Sequence, residues 1–168
     1  MLLVSNGCSH TAGAELEYPQ QGECYNKAWP RYLADDLDLD HINISMAGAS
    51  THRIIRTTYE FIYDWVKQRK DTKELLFIIL WPGTHRTEVY CDDNHIYNYD
   101  NRWAPIVVGN DSSYKQVFST SLYNYYKSWT TNTTEYQSSS DFYIDVTNLQ
   151  NLFYRYGIKH LFMDATNS

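Results

Sequence analysis

The chain opens on a short apolar run, Leu2-Leu3-Val4, which stops at small and polar residues. Residues 2–5 read as a buried strand and residues 6–21 as a polar loop. Apolar positions then recur at Trp29, Leu33 and Leu37, a spacing that predicts a helix over residues 27–37. Pro30 suits its first turn, where a missing N–H costs little. Residues 41–45 alternate and predict a second strand, followed by Met46-Ala47-Gly48-Ala49-Ser50. Ser50 or Thr51 can cap a helix running to about residue 69. Its stripe is Ile54, Ile55, Phe61, Ile62, Trp65 and Val66. A charged turn spans residues 67–73.

The clearest strand is residues 75–80, an unbroken apolar run suited to a central parallel strand buried on both faces. Residues 86–113 look irregular, with short β pieces at Val89-Tyr90 and Ile106-Val107-Val108. Such a long connection is typical of lids and substrate-contacting excursions. Residues 114–129 read as a helix carrying Val117, Phe118, Leu122, Tyr125 and Tyr126, and residues 130–140 as a polar linker. Residues 142–156 predict another helix, with Ile144, Val146, Leu149, Leu152 and Phe153 inside and Gly157 ending it. Residues 160–163 read as the last strand. Strands alternating with helices predict a parallel sheet wound on both faces.

Length and composition narrow the classes. The 168 residues suit one domain, with residues 86–140 as an excursion inside it. Net charge is −6 with scattered Lys and Arg, which argues against a nucleic-acid or anionic-membrane surface. No apolar run approaches the ~20 residues of a membrane span. The N-terminus carries no signal-peptide pattern, so a cytoplasmic setting is the expectation. Cys8, Cys24 and Cys91 share no short ligand spacing and cannot all pair, so neither a disulfide nor a zinc scaffold is expected. The 16 tyrosines predict a wet, tyrosine-rich periphery, with a sugar- or peptide-binding surface as the alternative.

Three strand-end loops should meet at the carboxyl edge of such a sheet, where open α/β folds bind ligands. They are residues 7–13, 46–51 and 81–88. The first offers Ser9, the second Gly48 just before a helix, and the third Thr84, His85, Arg86 and Glu88. A serine, glycine N–H groups and polar side chains on one edge suit nucleophilic attack with an oxyanion hole. Each residue also has a plainer role. Ser9 can be a turn serine, Gly48 a turn glycine, Cys8 a small buried hydrophobe, and Arg86 and Glu88 a loop-holding ion pair. Alternatively, Arg86 binds an anionic substrate group. Asn6 can hydrogen-bond across the turn. Among the histidines, His10 is a poor base for its own neighbour. His52 is either a solvated first-turn residue or a replacement base, and His85 is the best internal substitute.

Gly7-Cys8-Ser9-His10-Thr11-Ala12-Gly13 resembles the Gly-Asp-Ser-x-x-x-Gly block of the SGNH (GDSL-type) esterases and lipases. Residues 42–51 resemble that family's second block. The resemblance implies a three-layer α/β/α sandwich with a central parallel sheet of flavodoxin-like type. It implies Ser9 as nucleophile, the Ser9 and Gly48 N–H groups as oxyanion hole, and no metal or organic cofactor. Cys8 stands where the family has aspartate. The third block, Gly-x-Asn-Asp, is replaced by Trp81-Pro82-Gly83-Thr84-His85-Arg86-Thr87-Glu88, which leaves Thr84, His85 or Arg86 as substitute donors. The fourth block, Asp-x-x-His, is not found before Ser168, and Asp164 is not assigned to it. This leaves two expectations: a chain truncated at its C-terminus, with the histidine supplied from outside it, or a protein that lacks the family's base.

The leading expectation is a carboxylic-ester hydrolase acting on a carbohydrate O-acyl group or another small ester. The alternative is a non-catalytic carbohydrate- or protein-binding module on the same fold. A phosphate- or nucleotide-binding use of residues 7–13 ranks below both, because neither phosphate-loop pattern is present. The sequence does not give the oligomeric state.

Overall fold

The structure is a computed structural model, and it describes residues 1–14, 16, 24–91 and 103–165. Four parallel strands form the central sheet: β1 (Leu2–Gly7), β2 (Asp40–Asn43), β3 (Leu75–Trp81) and β6 (Lys159–Asp164). Their spatial order is β2-β1-β3-β6. Leu2 pairs with Asp40 on one side and Leu75 on the other, and Leu76 pairs with Lys159. The helices are α1 (Ser9–Ala12), α2 (Trp29–Asp36), α3 (Thr51–Lys67), α4 (Asp111–Val117), α5 (Thr120–Asn132) and α6 (Glu135–Tyr156). Helices on both faces of the sheet make a three-layer α/β/α fold. The chain leaves β1 toward β2 and returns past it to β3, so the switch point lies at the carboxyl ends of β1 and β3.

Alternation along the strands feeds two cores. Val4, Phe77 and Ile79 face α3 and α6, where they meet Ile54, Ile62, Leu149 and Phe153. Leu3 and Ile78 face α2, where they meet Ala34, Trp29 and Leu33. Cys8 is buried in the first core, as a small hydrophobe should be. Four of the expected stripe positions, Leu37, Val66, Tyr125 and Ile144, are exposed instead. Leu37 is exposed because α2 ends at Asp36, and Ile144 sits on the outer face of α6. Among the described residues no helix is long and apolar enough to cross a membrane.

The excursion is more regular than its sequence predicts. Residues 86–90 and 103–107 form an antiparallel pair, β4 (Arg86–Tyr90) and β5 (Trp103–Val107). The helix expected over residues 114–129 is two helices, α4 and α5, because Ser119 starts a new one and its Oγ accepts from Leu122 N–H. The linker expected over residues 130–140 is also helical. Helix α5 runs to Asn132, Thr134 caps α6, and its Oγ1 accepts from Gln137 N–H. Threonine and serine act there as cap residues, which composition alone reads as linker. A third small core joins Ile106, Tyr114 and Tyr126. Gly157 ends α6 in the left-handed conformation, as expected.

Candidate functional site

The first two strand-end loops are fastened to each other and to α3. Asn6 is fully buried at the end of β1. Its Nδ2 reaches Ile54 O at 3.1 Å and the Thr57 and Thr58 hydroxyls at 3.0 Å, and its Oδ1 accepts from Gly7 N–H at 2.9 Å. Asn43 Nδ2 donates to Thr11 O at 2.8 Å, while its Oδ1 accepts from the Ser45 hydroxyl and the Ser45 N–H. Met46 N–H donates to Gly7 O, Tyr25 donates to Ser45 O, and Arg53 Nη1 donates to Ile44 O. Gly7 is required by close packing, since a Cβ there would lie 2.3 Å from Thr11 Oγ1 and 2.9 Å from Leu80 O.

Ser9 opens α1 directly after this fastened strand end and is partly exposed. Its hydroxyl hydrogen-bonds to no described residue. Gly48 occupies the third position of a turn closed by Ala49 N–H to Met46 O, with φ +76°. That conformation is the type II turn requirement for glycine. A Cβ on Gly48 would meet no described atom within 4 Å, so this face of the loop is open. The Gly48 N–H also has no acceptor among the described residues. Gly48 lines a cavity of about 260 Å³ whose other walls come from β5 and α4.

The third strand-end loop goes elsewhere. Thr84 and Arg86 line a cavity of about 110 Å³ with Thr51, His52, Asp141 and Asp145, and neither Ser9 nor Gly48 borders it. His52 is half-exposed, and its ring hydrogen-bonds on one side. Nδ1 lies 3.2 Å from the Thr87 hydroxyl, and Nε2 faces Asp145 Oδ2 at 3.9 Å. Burial holds the Asp145 carboxyl above the ordinary carboxylate range; His52 opposes the shift and Asp141 adds to it. Thr51 Oγ1 and Arg86 Nε are buried without hydrogen-bond partners among the described residues.

The expected Arg86–Glu88 pair does not form. Glu88 binds Arg56 of α3 instead, with oxygen–nitrogen distances of 2.8 and 3.1 Å. Residues two apart on a strand are separated by ~7 Å, whereas a helix packed across β4 presents its guanidinium fork face-on. Arg86 is left with no ion pair to a described residue. His85 is exposed at the start of the hairpin, and its ring makes no hydrogen bond to a described residue. It borders a third cavity, of about 370 Å³, with Trp129, Thr133 and Glu135. His10 is exposed next to Ser9. Among the described residues no histidine hydrogen-bonds Ser9, and His, Cys, Asp and Glu form no group of three or more suited to a metal.

The sequence brought out Ser9, Gly48, His52, Thr84, His85 and Arg86. It missed Asp145, which sits mid-helix with no local signal, and the pairing of Arg56 with Glu88 across 32 positions. Asn6 had a local signal, a polar residue directly after a buried apolar run, where a partner is obligatory, whereas Asn43 lies part-buried on the edge strand β2.

No curated protein and no solved structure matches the chain. Residues 16–168 match the model of the family of unknown function DUF6071, and the chain belongs to that family.

Proposed function

We propose that this protein is a serine ester hydrolase working at Ser9, with the Ser9 and Gly48 N–H groups as its oxyanion hole. One observation carries the reading. A hydroxyl and a glycine N–H, both without partners among the described residues, stand on two loops fastened together at the carboxyl ends of the neighbouring parallel strands β1 and β2. Ser9 Oγ attacks the ester carbonyl carbon, and the carbonyl electrons move onto the oxygen held by the two N–H groups. The serine proton passes to a base, and the alcohol leaves as the acyl–oxygen bond breaks. Water then releases the acid. No described histidine hydrogen-bonds Ser9, and His85 and His52 line cavities that Ser9 does not border, so the base we propose is a histidine from outside the described residues. His52 Nδ1 is taken up by the Thr87 hydroxyl. The substrate is a small-molecule or glycan ester.

A fluorophosphonate probe should label the wild-type protein at Ser9 and fail to label Ser9→Ala. Hydrolysis of p-nitrophenyl acetate should fall at least about 100-fold in Ser9→Ala, the scale of losing a nucleophile. Equal labelling of wild type and Ser9→Ala would sink the assignment.

A second reading is a carbohydrate-binding module without turnover. The cavity that joins the Trp129 ring to the hydroxyl-bearing residues Thr130, Thr133 and Thr134 favours it. Glycan binding lost in Trp129→Ala, in a protein that no fluorophosphonate labels, would establish it over the hydrolase.

A further inference from the structure

The cavity beside Gly48 has a chemistry of its own. Its walls include Pro105 and Val107 of β5 and Tyr114, Val117 and Phe118 around α4. Tyr114 does not offer its polar tip: the hydroxyl donates to Pro105 O at 3.1 Å and accepts from Val107 N–H at 2.9 Å. The Tyr114 ring stacks on Phe118 with centroids 4.2 Å apart, so the pair contributes an aromatic, apolar surface. Gly48 completes the lining, and no described atom stands in its Cβ direction.

We propose that this cavity receives the apolar acyl chain of the ester, an assignment that rests on the Ser9 reading. Gly48, whose N–H is assigned to the carbonyl oxygen, itself borders the cavity, which brings the cavity within reach of the acyl group. The volume is about 260 Å³. A dry cavity of ~150 Å³ accepts benzene, so this one suits a chain of about six to eight carbons. An apolar wall gains from each methylene it buries, about fourfold in transition-state affinity. The excursion thereby has a role: β5 and α4 supply a chain-length gauge that the sheet edge alone lacks. The specificity-determining residue we single out is Val117, part-buried on the α4 wall.

The test uses the full chain with p-nitrophenyl esters from acetate to decanoate, and calorimetry of octanoate binding to Ser9→Ala. The specificity constant should rise at least about tenfold from acetate to hexanoate and fall again by decanoate. Val117→Trp fills the cavity and should collapse the hexanoate-to-acetate ratio toward one. Val117→Ala, the milder change if the tryptophan variant does not fold, should shift the optimum to a longer chain. Turnover with no dependence on chain length overturns the cavity assignment and leaves Ser9 in place. Absent turnover, octanoate binding that Val117→Trp abolishes sinks the hydrolase and keeps an apolar ligand site. Neither turnover nor binding removes both.

Discussion

The carboxyl edge of the sheet has two halves built on different terms. In the half made by β1 and β2, most buried polar side chains are answered: Asn6 by three acceptors and a donor, Asn43 by Thr11 and Ser45, Arg53 by Ile44. The exceptions are Thr11 Oγ1, pressed toward Gly7, and the Nε atom of Arg53, whose Nη1 makes the bond to Ile44. In the half beyond β3, Trp81 Nε1 and Arg86 Nε are buried with no hydrogen bond to a described residue, and Thr51 Oγ1, at the start of α3, is a like atom on the cavity that Arg86 lines. Satisfied networks fix geometry, and orphaned groups mark places where a ligand or a movement has something left to satisfy. Rigidity therefore sits under Ser9 and Gly48, and unspent polarity sits around Arg86.

Two arginines make the sharpest way to break this contrast. Arg56 lies against Glu88, whose side chain is only 5% exposed. Arg56→Met should cost about 3–5 kcal/mol, because it leaves a buried carboxylate without its cation. Arg86→Met should cost nothing, or stabilise by up to ~1 kcal/mol, because no partner is stranded and a part-buried charge is removed. Urea unfolding of both variants checks the pair. A loss of ~2 kcal/mol or more in Arg86→Met would mean that its guanidinium has a partner in solution.

Asn6→Ala comes next, at about 3 kcal/mol. It strips the Gly7 N–H and Ile54 O of their side-chain partner in a fully buried place, and unsatisfied groups cost more than the lost bond itself. The same unfolding experiment reads it. Stability lost by less than ~1 kcal/mol would show that water replaces the side chain and that this half of the edge is looser than its contacts imply.

The elements were legible wherever burial dictates period. The run ending at Leu80 reads as a central strand because both faces are covered, and residues 75–81 form β3. Ser50 caps α3 through Arg53 N–H, as a serine before an apolar stripe should. The excursion was less legible for two reasons. Its hairpin strands flank residues 92–102, which lie outside the described part, so no tight turn signals the pairing of Val89 with Ala104. Its helices start on Ser119 and Thr134, residue types that favour loops and caps alike, and only the backbone path beyond them decides which. At the site, Ser9 and Gly48 were visible because a turn glycine and a strand-end serine are local facts. The partner of Glu88 was not, because choosing Arg56 over Arg86 depends on how α3 packs across β4.

Gly48→Ala sharpens the comparison from the other side. No described atom blocks the new methyl, so the cost is only the φ of +76°, about 1 kcal/mol. A turn under such strain can relax by flipping the Ala47–Gly48 peptide, which carries the N–H assigned to the oxyanion. Fluorophosphonate labelling should therefore slow at least about tenfold while stability changes little. Labelling at the wild-type rate would take Gly48 out of the oxyanion hole and leave it a turn glycine.

The smallest expected effect tests whether the fastened half depends on a neutral imidazole. His41 on β2 lies 2.9 Å, through Nε2, from the buried Ser5 hydroxyl of β1, two strand positions below the Gly7 turn. Burial lowers its pKa below the ordinary 6.5, and the Arg31 guanidinium pushes the same way while Asp35 opposes. In the folded protein the ring thus gives up its proton more readily than in the unfolded chain. Between the folded and unfolded values the unfolded chain holds more protons, so stability rises with pH there. The contribution is complete above about pH 6.5 and is lost as pH falls through the lowered folded value. His41→Gln keeps a polar side chain beside Ser5 and removes the titration. Its unfolding free energy should lack the downward slope that the wild type shows below pH 6.5. A slope of equal size in both proteins would assign it to other groups, and the β1–β2 contact would then hold regardless of the charge on His41.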